Sequence, residues 1–320
     1  MIALQSSPEA GRLMVTDRRA LRFDAPFGEG ADRHTGVRAA SAIVPYAGGW
    51  LIAQDDSSFA AHWTPSGTTP IRLFPRGAAD TYSEARGNKA DKPDLESGTV
   101  IPTDDGPLAV FFGSGSTERR MRAAVVTERG GALESRVVAL DHLYAAALAA
   151  LQIGPGELNL EAACTVGDRV RFFQRGNGAA GVNASFDVEA RALVGALRGD
   201  ASLGPDHVIN VRRYELGSLG GVPLGFSAAA VLADGSVLFA AAAEDSPSTY
   251  DDGACAGSVI GLLGPDQSLL ARWPVKPDAG IKIEGLAVER SDGRRIELLA
   301  VTDPDDPTRP SEALRLQLDL

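Results

Sequence analysis

The chain has 320 residues, 44% of them apolar, with a formal net charge of −11 and a sequence pI near 4.9. That is enough apolar material for a sizeable core in one large domain or two ordinary ones. The acidic balance, with no Lys/Arg cluster standing clear of acids, excludes a nucleic-acid face, which must displace counterions, and equally an anionic membrane surface.

In chain order, the first strand pattern is "RLMVTDRRALRFD" from Arg12. From Ala40 one plan begins and recurs: an apolar strand, a polar turn, a second apolar strand and an acidic or Gly-rich end. The units are "ASAIVPYAGGWLIAQDD" from Ala40, "LESGTVIPTDDGPLAVFFGSGS" from Leu95, "LEAACTVGDRVRFFQRGN" from Leu160, "FSAAAVLADGSVLFAAAAED" from Phe226 and "IEGLAVERSDGRRIELLAVTD" from Ile283. Expected hairpin turns are Gly48-Gly49, Asp105-Gly106, Gly167-Asp168, Asp234-Gly235 and Asp292-Gly293. Helix-period segments are confined to "DHLYAAALAALQ" and "DVEARALVGALRG". The run "LYAAALAALQIG" is too short and Ala-rich to span a membrane, and the start has no basic n-region followed by an apolar h-region. A cytoplasmic setting is expected, with Cys164 and Cys255 as reduced thiols in no metal spacing. His34, His62, His142 and His207 are scattered singly.

Taking the second residue of each unit as origin, successive gaps are 55, 65, 66 and 57 residues. Units of this size hold a four-stranded antiparallel sheet with its loops, which is a propeller blade. The last unit ends after a third strand, "EALRLQLDL", so the N-terminal strand is needed to complete it and close the ring. The expected fold is an all-β, five-bladed β-propeller, one domain over residues 1–320. Six blades stay open if a degenerate unit occupies residues 137–157 or the N-terminal stretch, and a β-sandwich is the simpler rival.

The five origins are Ser41, Glu96, Glu161, Ser227 and Glu284. Innermost propeller strands line the axis, so three carboxylates and two hydroxyls are expected to converge there. Crowded carboxylates either keep protons or gather round a cation. The donors are all hard oxygen, which suits Ca²⁺ with its flexible shell of about six to eight ligands. The plainer alternative is a wet channel holding only water.

These openings resemble those of the calcium-activated nucleotidases, or soluble apyrases, in the stretches "SAIVPYAGGWLIAQDD", "LESGTV", "LEAACTVGDRVRFF", "GFSAAAVLADGSVLFAA" and "KIEGLAV". The resemblance implies a five-bladed propeller with one axial calcium held by Ser41, Glu96, Glu161, Ser227 and Glu284. It also implies an acid pair at Asp55-Asp56 and hydrolysis of nucleoside di- and triphosphates. The chain departs from that family in having Ser57-Ser58-Phe59 where the family has Arg-Thr-Gly, and in Arg175, one residue out of register. The blade pattern also resembles that of uncharacterised bacterial propeller proteins.

On this reading Asp55 or Glu244 positions the attacking water, and Asp56 completes the acid pair. Arg175, Lys92 and Arg119 neutralise phosphate. The amides of Gly113–Ser116, with Ser114 and Gly115 at the centre, form an anion nest. The ligand is then a small, phosphorylated molecule. "DPDDPTRPSE" from Asp303 lacks the EF-hand glycine and reads as a rim loop; "TYDDGACAGS" from Thr249 reads as a long turn in the fourth unit. Two other classes stay open: a lactonase or phytase-like hydrolase using the same metal, and a non-catalytic propeller with a structural calcium and a ligand at its rim.

Overall fold

The computed structural model describes residues 11–28, 30–245, 253–276 and 280–320. Apolar strands broken by Gly and Asp turns form five antiparallel blades round one axis. Blade 1 comprises Ala40–Tyr46, Gly49–Gln54, Phe59–Thr64 and Gly67–Arg72, from inside outwards. Blade 2 comprises Leu95–Ile101, Leu108–Gly113, Arg122–Arg129 and Ala132–Ala139; blade 3 comprises Leu160–Val166, Arg169–Gln174, Asn183–Glu189 and Ile209–Tyr214. Blade 4 comprises Val222–Val231, Val237–Asp245, Ala254–Leu263 and Leu269–Pro274, with a two-residue strand, Ser218–Leu219, on its inner edge. Blade 5 comprises Ile283–Ser291, Arg295–Thr302 and Glu312–Asp319, and its fourth strand is Arg12–Ala20 from the other end of the chain.

Five blades, not six, are therefore present, closed by the N-terminal strand. The candidate sixth unit at residues 137–157 holds the end of blade 2 and a helix, Asp141–Leu151. The second expected helix is Ala190–Arg198. Both pack their apolar residues, Tyr144 and Leu197 among them, into the core between blades 2 and 3 beside Phe112, Phe172 and Phe186. Neither is long and apolar enough to cross a membrane. Cys164 and Cys255 are free thiols.

Several turns differ from expectation. In blade 1 the turn is Ala47-Gly48, one residue early, with φ of 48° and 72°, the left-handed pair that a tight hairpin requires. Gly167-Asp168 is a two-residue turn as expected, but the inner hairpins of blades 2, 4 and 5 close over longer loops. Most of "TYDDGA" lies outside the described residues; Ala254 onwards is strand.

One irregularity recurs in every blade. The ladder between innermost and second strands slips at Ala40/Ala42, Leu95/Ser97, Leu160/Ala162, Phe226/Ala228 and Ile283/Gly285. The unpaired residues are Ser41, Glu96, Glu161, Ser227 and Glu284. Each origin is thus the extra residue of a β-bulge, a device that re-aims a side chain and bends the strand.

Closure is apolar. Leu316 is 1% exposed, and in register it lies between Leu298 of its own hairpin and Val15 of the N-terminal strand. Leu316→Ala should destabilise the chain by about 2–5 kcal/mol, whereas Val15→Ala, at a partly buried site, should cost clearly less. Urea unfolding of both variants measures the difference, and equal losses would contradict this account of the seam.

Candidate functional site

Three positions per blade meet at one end of the axis. The first is the bulge residue. The second lies two residues earlier: Ala39, Asp94, Asn159, Gly225 and Lys282. The third follows the second strand: Asp55, Ser114, Arg175 and Asp303, with Glu244 in the corresponding part of blade 4. The same backbone bond joins the latter two positions in four blades. Asp55 N–H donates to Ala39 O at 3.0 Å, Ser114 to Asp94 at 3.0 Å, Arg175 to Asn159 at 2.9 Å and Asp303 to Lys282 at 3.1 Å. Asp94 takes a left-handed φ of 56°, strain of the kind that persists where surrounding structure over-determines a site.

Most of these residues, though not Ala39, Ser114, Gly225 or Ser227, line a cavity of about 40 Å³, enough for an ion or a few waters and too small for a whole nucleotide. Among the described residues, seven carboxylates line it (Asp55, Asp94, Glu96, Glu161, Glu244, Glu284 and Asp303) and four cations (Lys92, Arg120, Arg175 and Lys282). Fully ionised, the wall carries three unmatched negative charges.

The charges fall into two groups. On the blade 1–2 side, carboxylate oxygens of Asp55, Asp94 and Glu96 all lie within 4.8 Å of one another. Lys92 Nζ sits 2.6 Å from Asp55 Oδ2 and 2.8 Å from Asp94 Oδ1, and Arg120 lies 3.0 Å from Asp94. Across the cavity Arg175 spans three blades: Nη2 donates to Glu244, and Nη1 lies 3.4 Å from Glu161 and 3.7 Å from Glu284. Lys282 Nζ is 3.0 Å from Asp305, 3.4 Å from Glu284 and 3.5 Å from Glu244. Asn159 donates to Glu161 at 2.6 Å. Glu284 is 4% exposed, yet neither carboxylate oxygen accepts a hydrogen bond. A buried acceptor left so is costly without a ligand or a proton.

Burial, then Asp55, Glu161 and Asp94, hold the Glu96 carboxyl well above its ordinary range. Burial raises Glu284 well above its range against the pull of Lys282, and does the same to Asp303, helped by Asp305 and Asp55. Glu161 is raised by burial against Arg175 and Lys282. Asp94 goes the other way: burial would raise it, but Lys92 and Arg120 outweigh that and hold it low. The wall therefore relieves part of its charge by retaining protons.

Of the expected axial set, Ser41, Glu96, Glu161 and Glu284 line the cavity. Ser227 lies outside its lining, fully buried, with its hydroxyl donating to Ile283 O at 2.6 Å. Ser41 does likewise to Leu95 O, so each serine ties its bulge to the residue before a glutamate bulge in the next blade. The expected acid pair divides. Asp55 faces the cavity, while Asp56 pairs with Arg38 at 2.5 Å, away from the cavity lining, and burial pushes its carboxyl up to about 6. Glu244 is engaged by Arg175, by Lys282 and by the Gly253 amide at 2.7 Å. Arg175 and Lys92 are in the wall, each already on carboxylates, whereas Arg119 is on the surface with Asp91. The anion nest is not formed as expected. Ser114 N–H donates to Asp94 O, Ser116 N–H to Ser114 Oγ at 3.2 Å, and the Ser114 hydroxyl to the Asp94 carboxylate. Gly115, at φ 77°, lies against Tyr144, where a Cβ would come within 2.4 Å of the ring. Asp94, Asn159, Lys282 and Asp303 escape a sequence reading that follows one position per blade. Their signal is the same repeat read at two further offsets.

Two openings adjoin the cavity. A vestibule of about 120 Å³ shares Asp55, Lys92 and Asp303 with it and adds Asp305, Asp306, Tyr82 and Lys89. A cleft of about 740 Å³ between blades 3 and 4 shares Arg175, Asn177 and Glu244 and extends past Tyr214 and Asn183.

The chain superposes loosely on several solved propeller-like structures. A mannose phosphorylase from Leishmania mexicana aligns at 12% identity over 94% of this chain and 88% of its own, with a TM-score of 0.48. A luciferin-regenerating enzyme aligns at 11% identity over 97% and 95%, TM-score 0.41, and a gluconolactonase from Xanthomonas campestris at 10% over 97% and 98%, TM-score 0.37. At such identities and scores none bears on what this chain binds or does. No curated protein matches it significantly. The match that covers residues 36–318, all but the closing strand and the ends, is to a sequence family, and the chain belongs to it: the Family of unknown function (DUF6929).

Proposed function

We propose that the axial cavity is a divalent-cation centre, with calcium as its natural ion, and that the chain is a cation-dependent hydrolase. The observation that carries this reading is seven carboxylates set against four cations in a cavity of about 40 Å³, an imbalance that protons or an ion must meet. The donor chemistry fits: among the described residues the wall offers carboxylate, hydroxyl and amide oxygens and no histidine or thiol, and the buried Glu284 carboxylate accepts no hydrogen bond. Asp55, Asp94 and Glu96 would hold the ion, with Glu161 next round the ring. Calcium so bound would supply Lewis acidity and a template for the substrate's oxygens.

The chain's own residues do the rest. Asp303, on the wall shared by cavity and vestibule, retains a proton and is placed to give or accept one during turnover. Arg175 fixes Glu161, Glu244 and Glu284 relative to one another, and so positions three blades. Substrate bulk belongs in the vestibule or the cleft, with only its reacting group at the cavity mouth. The resemblance to calcium-activated nucleotidases makes phosphate anhydrides and esters the first class. A second reading, a neutral lactone or ester, draws on the four wall cations, each within 4 Å of a carboxylate, which leaves little positive charge for a polyphosphate.

Turnover of nucleoside diphosphates, p-nitrophenyl phosphate and lactones, each with calcium and with EGTA, separates the classes. Calcium-dependent release of phosphate or acid supports a hydrolase. A calcium-dependent rise in Tm with no turnover on any of them leaves a structural ion in a binding propeller.

Glu96→Gln should weaken calcium binding by about tenfold or more, since ligand charge count sets affinity. In EGTA the same change should raise Tm, because it removes a buried carboxylate that opposes folding. Calorimetry and thermal melts read the two effects, and an unchanged affinity would end the ligand assignment.

The raised carboxyls also predict a pH dependence. Glu96, Glu284 and Asp303 keep protons in the folded chain where the unfolded chain has lost them. Their contribution to stability is thus fully present below the ordinary carboxylate range and is lost as pH rises through their raised values. In EGTA, Tm should fall as pH is raised from the ordinary carboxylate range to mildly alkaline values, and added calcium should restore more at the higher pH. Melts across that range test it; a chelated protein equally stable at both ends would contradict it.

A further inference from the structure

The wall cations are not equivalent. Lys92 rests on two of the three carboxylates in the tight cluster, with Nζ at 2.6 Å from Asp55 and 2.8 Å from Asp94. The cluster oxygens lie within 4.8 Å of one another, so an ion held by them and this ammonium must draw on the same lone pairs. The ammonium already makes the contacts that a monovalent ion would make.

We infer that Lys92 is the selectivity residue of the cation centre: an internal counter-ion that divalent ions displace and monovalent ions do not. The inference rests on the cation-centre reading above. Exchanging one unit charge for another gains almost nothing against three carboxylates, whereas a divalent ion roughly doubles the Coulomb attraction. The displaced ammonium has somewhere to go. Lys92 lines both the cavity and the vestibule, whose wall includes the Asp306 carboxylate. It also belongs to no blade ladder. It follows the single turn Lys89–Asp91 in the long connection between blades 1 and 2, before Pro93, so its movement breaks no sheet hydrogen bond.

Calorimetric titration of the full chain with CaCl₂, at low and high NaCl, tests this with Lys92→Met, Lys92→Arg and Lys89→Met beside the wild type. Lys92→Met should bind calcium about tenfold tighter or more, and sodium should now compete for the site. Lys89→Met removes a vestibule charge outside the cluster and should change affinity by less than about threefold. Lys92→Arg guards against loss of the fold in the neutral variant. Its guanidinium keeps the charge and can grip two carboxylates at once, so it should weaken calcium binding while its Tm in EGTA stays near that of the wild type. Calcium affinity in Lys92→Met equal to or below that of the wild type, or in Lys92→Arg equal to it, overturns the inference. If no chain, wild type included, takes up calcium, it is the cation centre itself that falls.

Discussion

Unmatched negative charge at the end of the propeller axis is the constraint on which the rest of the structure depends. Seven carboxylates and four cations share the wall of one small cavity. Charges removed from water in this way are stable only if paired, protonated or bound to an ion. The protein uses the first two devices openly. Arg175 and Lys282 brace the blade 3–5 side, Lys92 and Arg120 hold Asp94, and Glu96, Glu284 and Asp303 retain protons. Protons on those three carboxyls balance what pairing leaves over, and on the proposed reading a divalent ion would take their place.

The bulges make the crowding possible. A regular strand turns alternate side chains to opposite faces of its sheet, and those faces here are packed against neighbouring blades. An extra residue in each innermost strand releases one side chain from that alternation. Ser41 and Ser227 then use their hydroxyls to lock the next blade's bulge. Glu96, Glu161 and Glu284 face the cavity. Structure and site are thus one repeated feature used for two purposes.

The cavity's size divides the work between elements. On the proposed reading, ion and reacting group would fall to the repeated positions of the blades, and ligand bulk to the connections that form the vestibule and the cleft. Those connections do not follow the repeat. The stretch between blades 1 and 2 brings Lys89 and Lys92, the loop after Thr302 brings Asp303 to Asp306, and the Gly-rich turn after Arg175 floors the cleft. A common blade plan therefore builds the cavity, and irregular loops build its two openings.

Much of this was legible in the linear chain. Period and strand length pointed to a ring of five four-stranded sheets, because each unit has apolar faces that adjacent units can cover, and left six blades or a sandwich to be decided by the fold. The register of Ser41, Glu96, Glu161, Ser227 and Glu284 marked the axis for the same reason. The sequence could not show that these residues sit in bulges, since a bulge is defined by a partner strand's pairing and not by residue type. Nor could it show that Asp55 and Asp56 divide, that Ser114 supports Asp94 in place of binding an anion, or that Lys92, Arg175 and Lys282 neutralise the wall. Those outcomes depend on distances between residues tens to hundreds of positions apart, and electrostatic energy depends on distance and burial, which only the folded ring decides.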